Sequence, residues 1–464
     1  MDVSAFKAYD VRGVYPLQIN AQFMYLTGKA YATIFQPKKV VIGYDARLSS
    51  EELAEALEAG LSDSGVDVVN IGLCGSEMVY YATGRHKTDG GIMITASHNP
   101  KEYNGCKMVM DGARPVGPDT GLNEIKKLVA SEGPFKHIDG KKSERNGTIT
   151  KEDISEEFLT YMLDMLKGKV DPNLKVVVNS GNGAAGPVIK KLAKKLPCTI
   201  YPIFDQPDGN FPNGVPNPLL PERRKETSHE VVEKKADLGV AFDGDFDRCF
   251  FFDENGRFIE GYYLVGLLAR QILTKYPGAK IVHDPRLTWH TIEVVQSSGG
   301  QPVMSKTGHA YIKTKMREQD AVYAGEMSAH HYFKDFWYCD SGLLPFLLVL
   351  ELLSENNDPL SAYVDEAFRN YPVSGELNFK LKVDPISLVR SLAEHYDDHG
   401  GEISFPDGLN VEFDQWRASL RVSNTEPLLR LNVESRGDYK LVEEKKDEMI
   451  ALIRRLDPDV QPYG

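Results

Sequence analysis

KKVVIGYDARLSSEELAEALEAGLSDSGVDVVNIG, residues 38–72, runs from Val and Ile through a polar turn into apolar residues at helical spacing, then returns to Val and Ile after Gly65. This predicts strand, turn, helix and strand, the unit from which layered α/β domains are built. The plan recurs in AKIVHDPRLTWHTIEVVQSSGGQPVMSKTG, residues 279–308, where Asp284, Arg286 and Thr288 stand in the places of Asp45, Arg47 and Ser49. A weaker copy, LKVVVNSGNGAAGPVIKKLAKKLPCTIYPIF at 174–204, has a Gly-rich turn after its strand. Three copies in one chain predict three related α/β units.

The last hundred or so residues read differently. SGELNFKLK, GLNVEFDQWRASLRV and LLRLNVESR alternate like antiparallel strands, with helical patterns at 385–397 and 438–455. The expected architecture is therefore three similar mixed-sheet α/β domains and a smaller C-terminal α+β domain. Boundaries are expected near 145, 253 and 368, giving domains 1–145, 146–252, 253–367 and 368–464. With no long linker between them, the domains are expected to surround a central active-site cleft.

Composition narrows the function. A chain of 464 residues, 42% hydrophobic and 26% charged, belongs with globular proteins, and a net charge of −13 argues against a nucleic-acid partner. Five scattered cysteines, none in a C-x-x-C pair, give neither a disulfide framework nor a zinc site, so a reducing cytoplasmic location is expected. The N-terminus has no apolar leader core. The most apolar run, Leu343–Leu353, is too short to cross a bilayer and contains Pro345 and Glu351. It reads as a buried helix capped by Asp340 and Ser341.

Two constellations carry chemistry. GGIMITASHNP (90–100) ends a buried strand in a polar knot, placing the Ser97 hydroxyl where α/β proteins bind ligands; a capping turn is the plainer alternative. In AFDGDFDRCFFF, Asp243, Asp245 and Asp247 alternate in a segment read as extended or gently curved, so that their carboxylates converge on a hard cation. An EF-hand loop fails here, because Arg248 stands at its required glycine. Mg²⁺ needs further oxygen ligands, which a phosphorylated Ser97 could supply, with Arg248 beside them as a hydrogen-bond donor to phosphate oxygens. Glu326, Ser328 and His330 in GEMSAHHYF suit sugar hydroxyls, and Arg421, Ser423, Asn424 and Thr425 in RVSNTEP suit an anion.

These stretches, with FKAYDVRGVYP, GYDARLSS, TASHNPKEYNGCK, NPLLPE and KTGHAYIK, resemble the α-D-phosphohexomutase superfamily, in its bacterial phosphomannomutase/phosphoglucomutase group. The resemblance implies Ser97 as phosphoserine and Mg²⁺ held by Asp243, Asp245, Asp247 and the phosphoserine. It implies interconversion of hexose 6- and 1-phosphates through a sugar 1,6-bisphosphate, with mannose and glucose as substrates and no membrane partner. By the same resemblance Tyr9, Arg12 and Lys107 lie near the transferring phosphate. Lys107 or His309 exchanges the proton, Arg12 and Arg248 offset charge, and Arg286 and His309 contact substrate. Glu326 and Ser328 resemble the sugar-hydroxyl loop, and Arg421 to Thr425 the phosphate clamp. A monomer or small homo-oligomer is expected. Two departures stand out: Arg286 where related mutases often have Lys, and Ala329 where Gly is common. A phosphoglucomutase, a phosphoglucosamine mutase, a sugar-phosphate phosphatase and a non-catalytic phosphosugar binder are the competing readings.

Overall fold

The computed structural model describes residues 1–138, 146–356, 358–422 and 428–462. They form two compact units, Met1–Phe258 with His330–Asn357, and Ile259–Ala329 with Asp358–Gly464.

In the first unit one sheet is ordered Val11–Val14, Tyr103–Met110, Gly90–Ile94, Lys39–Tyr44, Asp67–Leu73 and Ile149–Lys151. The run from Gly90–Ile94 to Ile149–Lys151 is parallel and Tyr103–Met110 antiparallel, because the parallel strands are joined through helices and the reversal through the short Ser97 loop. Val40, Ile42, Ile92 and Ile94 are completely buried against Leu53, Leu57 and Leu61 of the helix Ser50–Ser62. The second sheet repeats the plan: Lys175–Asn179 lies parallel to both Thr199–Ile203 and Leu238–Phe242, and Cys249–Phe252 returns antiparallel.

In the second unit Lys280–His283 lies parallel to both Gln301–Met304 and Tyr323–Gly325. The C-terminal sheet, Glu402–Ser404, Leu409–Glu412, Trp416–Val422, Leu428–Ser435, Leu377–Lys380 and Gln461–Pro462, is antiparallel throughout. The helices Pro385–Asp398 and Tyr439–Leu456 cover it, each capped by an Asp that accepts a backbone N–H, Asp384 from Ser387 and Asp438 from Leu441. The expected three α/β repeats and a C-terminal α+β domain are present.

The expected boundaries shift in detail. Ile149–Lys151 pairs with Val68–Asn70, past residue 145, as a short exposed strand whose sequence carries no apolar alternation. The Asp253–Arg257 turn still closes the second sheet's hairpin, past 253. The helix Leu360–Asn370 runs through 368, and Phe368 sits 4.3 Å from the Tyr263 ring. Residues His330–Asn357 compact with the first unit. Their helix Leu343–Asn356 is capped by Ser341, whose Oγ accepts from the Leu344 N–H at 3.0 Å, while Asp340 faces His330 instead; Pro345 is harmless in the first turn. Glu351, the charge inside the apolar run, accepts the backbone N–H groups of Lys167 and Gly168 at 2.6 and 2.5 Å. No helix among the described residues is long and apolar enough to cross a membrane.

Candidate functional site

In each repeat the loop of interest follows the strand that lies parallel to the repeat's first strand. Gly90–Ile94 leads to Ser97, Leu238–Phe242 to Asp243–Asp247, and Tyr323–Gly325 to Glu326–Ser328. The carboxyl ends of parallel strands open the ladder to ligands while the sheet behind stays rigid.

Ser97 is buried and has φ +48°, a left-handed conformation that a serine holds only when its surroundings fix it. Arg47 does the fixing: its guanidinium donates to the carbonyls of Ser97, Asn99, Pro100 and Tyr103 at 2.6–2.9 Å. Asp45 orients the loop from below, accepting the Thr95 hydroxyl at 2.7 Å while Thr95 Oγ1 takes the Ser97 N–H at 2.7 Å. The Ser97 hydroxyl donates to Asp243 Oδ2 at 2.6 Å and lies 3.1 Å from His98 Nδ1. Arg248 holds Asp243 through Nε at 2.9 Å and reaches Ser97 Oγ at 3.4 Å. Burial, then Arg248 and Arg12, hold the His98 imidazole well below its ordinary range, so it stays neutral. Arg12 donates to Asp10 at 2.7 Å and to Asn99 Oδ1 at 2.6 Å, beside the same loop, and half-buried Tyr9 precedes it.

The three aspartates are fully buried, with oxygens within 4.8 Å of one another. Their convergence comes from a tight turn rather than from an extended segment: Phe246 has φ +39°, and its N–H bonds to the Asp243 carbonyl. A Cβ on Gly244 would sit 2.4 Å from the Ser97 carbonyl oxygen, so only glycine lets this turn approach the serine. Ser76, at the start of the helix Ser76–Arg85, donates its N–H to the Asp245 carbonyl at 3.0 Å and its hydroxyl to Asp245 Oδ2 at 2.5 Å. Oδ1 of Asp245 and Oδ1 of Asp247 accept no hydrogen bond among the described residues, leaving two buried oxygens aimed into the cluster. That donor set fits a hard divalent cation.

Lys107 is buried on the strand Tyr103–Met110. Tyr103-Asn104-Gly105 lies in a strand, because Gly105 packs tightly on the Val11 carbonyl and Asn104 bonds to Ser49 and Ser50. The buried Lys107 ammonium donates to Asp245 at 2.6 Å and also to Asp247. Burial alone would lower its pKa, but Asp245 and Asp247 raise it, so the lysine is a fixed cation. Burial and the charge of Asp245 raise the Asp247 carboxyl; burial also acts on Asp245, yet Lys107 and Ser76 hold it below the ordinary range. His330, expected beside the sugar loop, belongs to the first unit, with Nδ1 3.1 Å from Asp340 and 4.0 Å from Asp247.

In the second unit Glu326 accepts the Gly308 N–H at 3.0 Å, next to His309 at the start of the helix His309–Gln319. Arg286 is buried, donating to Asp284 at 2.7 Å and to Ser328 Oγ at 3.3 Å. Arg421 lies 3.8 Å from Asp407, which accepts the Thr307 N–H at 3.0 Å. Ser423, Asn424 and Thr425 lie outside the described residues. Sequence reasoning missed the supporting residues Asp45, Arg47, Thr95, Ser76 and Asp340. The repeated Asp-x-Arg of residues 45–47 and 284–286 was the available signal for the first two.

Models of the phosphoglucomutase/phosphomannomutase family match in chain order: alpha/beta/alpha domain I at 3–135, domain II at 156–256, domain III at 260–371 and the C-terminal domain at 376–452. A phosphomannomutase of Escherichia coli is 50% identical over 462 residues, covering 97% of this chain and 99% of the relative. A protein of Xanthomonas campestris pv. campestris named for phosphohexose mutases is 51% identical over 458 residues, covering 98% and 100%. The crystal structure of a phosphoglucomutase/phosphomannomutase family protein from Burkholderia thailandensis superposes with a TM-score of 0.88 at 32% identity, covering 100% of this chain and 99% of that one. Four domains matched in order and half-identity over nearly the whole length place this chain in the phosphoglucomutase/phosphomannomutase family.

Proposed function

We propose that the chain is an isomerase that interconverts mannose 6-phosphate and mannose 1-phosphate, and likewise the glucose phosphates, by carrying phosphate on Ser97 through a sugar 1,6-bisphosphate. The observation that carries this reading is the 2.6 Å bond from the Ser97 hydroxyl to Asp243, inside a buried three-carboxylate cluster. The names of half-identical, full-length relatives support the sugar assignment.

In this reading the four domains supply, in order, the phosphoserine, the metal loop, the sugar loop and the phosphate clamp. Asp243, Asp245 and Asp247 hold Mg²⁺, which when bound offsets charge on the transferring phosphate oxygens. Transfer breaks the bond from Ser97 Oγ to phosphorus and forms one from phosphorus to a sugar hydroxyl oxygen. The hydroxyl proton passes to a base, and the departing Ser97 Oγ takes up a proton to regenerate the serine hydroxyl. Lys107, a fixed cation between two carboxylates, suits charge compensation rather than proton uptake. An imidazole suits the proton better: His330, steered through Nδ1 by Asp340, or His309. Arg12 and Arg248 stand by the serine loop to bind phosphate oxygens, with Tyr9 beside them. Arg421, with Ser423, Asn424 and Thr425, grips the phosphate that is not transferred. Glu326 and Ser328 grip the sugar hydroxyls, so both substrate orientations meet the same groups. Five buried thiols suit a reducing cytoplasm.

The test is a coupled assay on mannose, glucose and glucosamine 1-phosphates with Mg²⁺ and catalytic sugar 1,6-bisphosphate. Mannose and glucose are expected within about tenfold of each other in kcat/KM, with glucosamine far lower and Ser97→Ala inactive. Release of inorganic phosphate without isomer formation would instead mark a phosphatase.

A further inference from the structure

The three repeats share one local device. At the end of each first strand an acidic or amide side chain accepts the N–H two residues on: Arg47 N–H to Asp45 at 3.1 Å, Arg286 N–H to Asp284 at 2.9 Å, and Gly181 N–H to Asn179 at 2.8 Å. In the first and third repeats the second carboxylate oxygen then crosses to the functional loop. Asp45 Oδ2 accepts the Thr95 hydroxyl, and Asp284 Oδ2 accepts the Met327 N–H at 2.9 Å. The arginine follows: Arg47 seizes the Ser97 loop through four carbonyls, and Arg286 bonds to Ser328 Oγ at 3.3 Å with Glu326 at 3.8 Å.

We propose that Arg286 is a positioning residue of the sugar loop, the counterpart of Arg47, acting on substrate hydroxyls through Glu326 and Ser328. Its backbone is itself immobilised, since Arg417 donates to the carbonyls of Pro285 and Arg286, both at 3.0 Å. Its other arm is spent on Glu376 at 3.3 Å, which Arg430 also approaches at 3.5 Å. With Asp284, Glu326 and Glu376 all around it, this guanidinium is surrounded by protein carboxylates rather than open to a phosphate. The planar fork spans Asp284 and Ser328 with one nitrogen and Glu376 with the other, which a lysine's single ammonium cannot do. The second repeat lacks the arginine, Gly181 standing in its place, and its loop is held by Ser76 and Lys107 instead.

This inference rests on the proposed reading of Glu326 and Ser328 as the groups that grip the sugar, and the experiment separates the two. Wild type and Arg286→Lys are assayed on glucose 1-phosphate and on its 3-deoxy and 4-deoxy analogues. Wild type is expected to favour the parent sugar over at least one analogue by about tenfold or more, and Arg286→Lys to shrink that preference below about threefold. A preference undiminished in Arg286→Lys overturns the proposal, as does an equal loss on all three substrates, which would mean phosphate contact or a merely structural role. Equal rates of wild type on all three sugars would instead refute the sugar-loop reading. Should Arg286→Lys fail to fold by circular dichroism, Asp284→Asn is read by the same criterion: it breaks the ion pair but keeps an acceptor for Met327.

Discussion

At the scale of single residues, the site is built from conformations that most side chains avoid. Ser97 at φ +48° and Ala329 at φ +68° both sit in the left-handed region. The strain at Ser97 is offset by the Arg47 clamp, whereas Ala329 makes one backbone bond, to the Glu326 carbonyl at 3.0 Å. Ala329→Gly is therefore expected to raise stability by up to about 1 kcal/mol, read as the urea midpoint. Gly244→Ala should do the reverse for chemistry. Its new Cβ meets the Ser97 carbonyl at 2.4 Å, so phosphoryl transfer from sugar bisphosphate to Ser97 should slow by about a hundredfold while the fold survives. Stopped-flow or quenched transfer kinetics beside a melting curve checks this. Mg²⁺ is expected to raise the melting temperature and Asp245→Asn to abolish that rise, because the neutral side chain breaks the trio of buried carboxylates. Ser97 and the aspartates were legible in the sequence because reactive residues crowd into few positions. Arg47 was not, since nothing local reveals that one guanidinium will serve four carbonyls some fifty residues away.

At the scale of elements, the strand-turn-helix-strand copies were readable because Val and Ile runs, Ser-Gly breaks and helical apolar spacing are local properties. The same locality leaves tertiary partners unread. Asn104-Gly105 has turn chemistry, yet it lies in a strand because Asn104 finds Ser49 and Ser50 and Gly105 packs on Val11. Glu351 looked like a break in an apolar helix, and the structure gives it two backbone donors. Replacing it tests that pairing: Glu351→Leu should cost about 1–3 kcal/mol by orphaning both N–H groups, and Glu351→Gln clearly less, because an amide oxygen still accepts. Chemical denaturation of the two variants distinguishes them. Equal losses would mean that the helix needs the charge rather than the acceptor.

At the scale of the whole molecule, stability should depend on pH through buried imidazoles. Burial, with Arg270, lowers His290 from 6.5 to about 4, and burial with His330 lowers His331 to about 3. Each is neutral when folded, while the unfolded chain takes up a proton near pH 6.5. Between about pH 6.5 and 4 the unfolded state therefore binds more protons, and stability falls as pH falls, levelling for His290 below about 4. Buried Glu77, whose burial raises it well above 4.5, acts in the opposite sense, so the comparison must be made between variant and parent. Melting curves of His290→Gln should show a shallower loss than the parent over that window. An identical slope would exclude His290 as the group responsible.

The sequence alone determined the repeat, the composition class, the strand ends on which Ser97 and the three aspartates stand, and the antiparallel C-terminal sheet. All of these are written in periods of two and 3.6 residues and in short-range turn chemistry. Tertiary structure alone decided which distant segments meet. It brings His330 and Asp340 beside Asp247, and it spends Lys107 on two aspartates rather than on solvent. A one-dimensional pattern records which face of an element is apolar, but a buried charge is stable only where an opposite charge arrives from elsewhere in the chain. That arrival is a property of the packed whole.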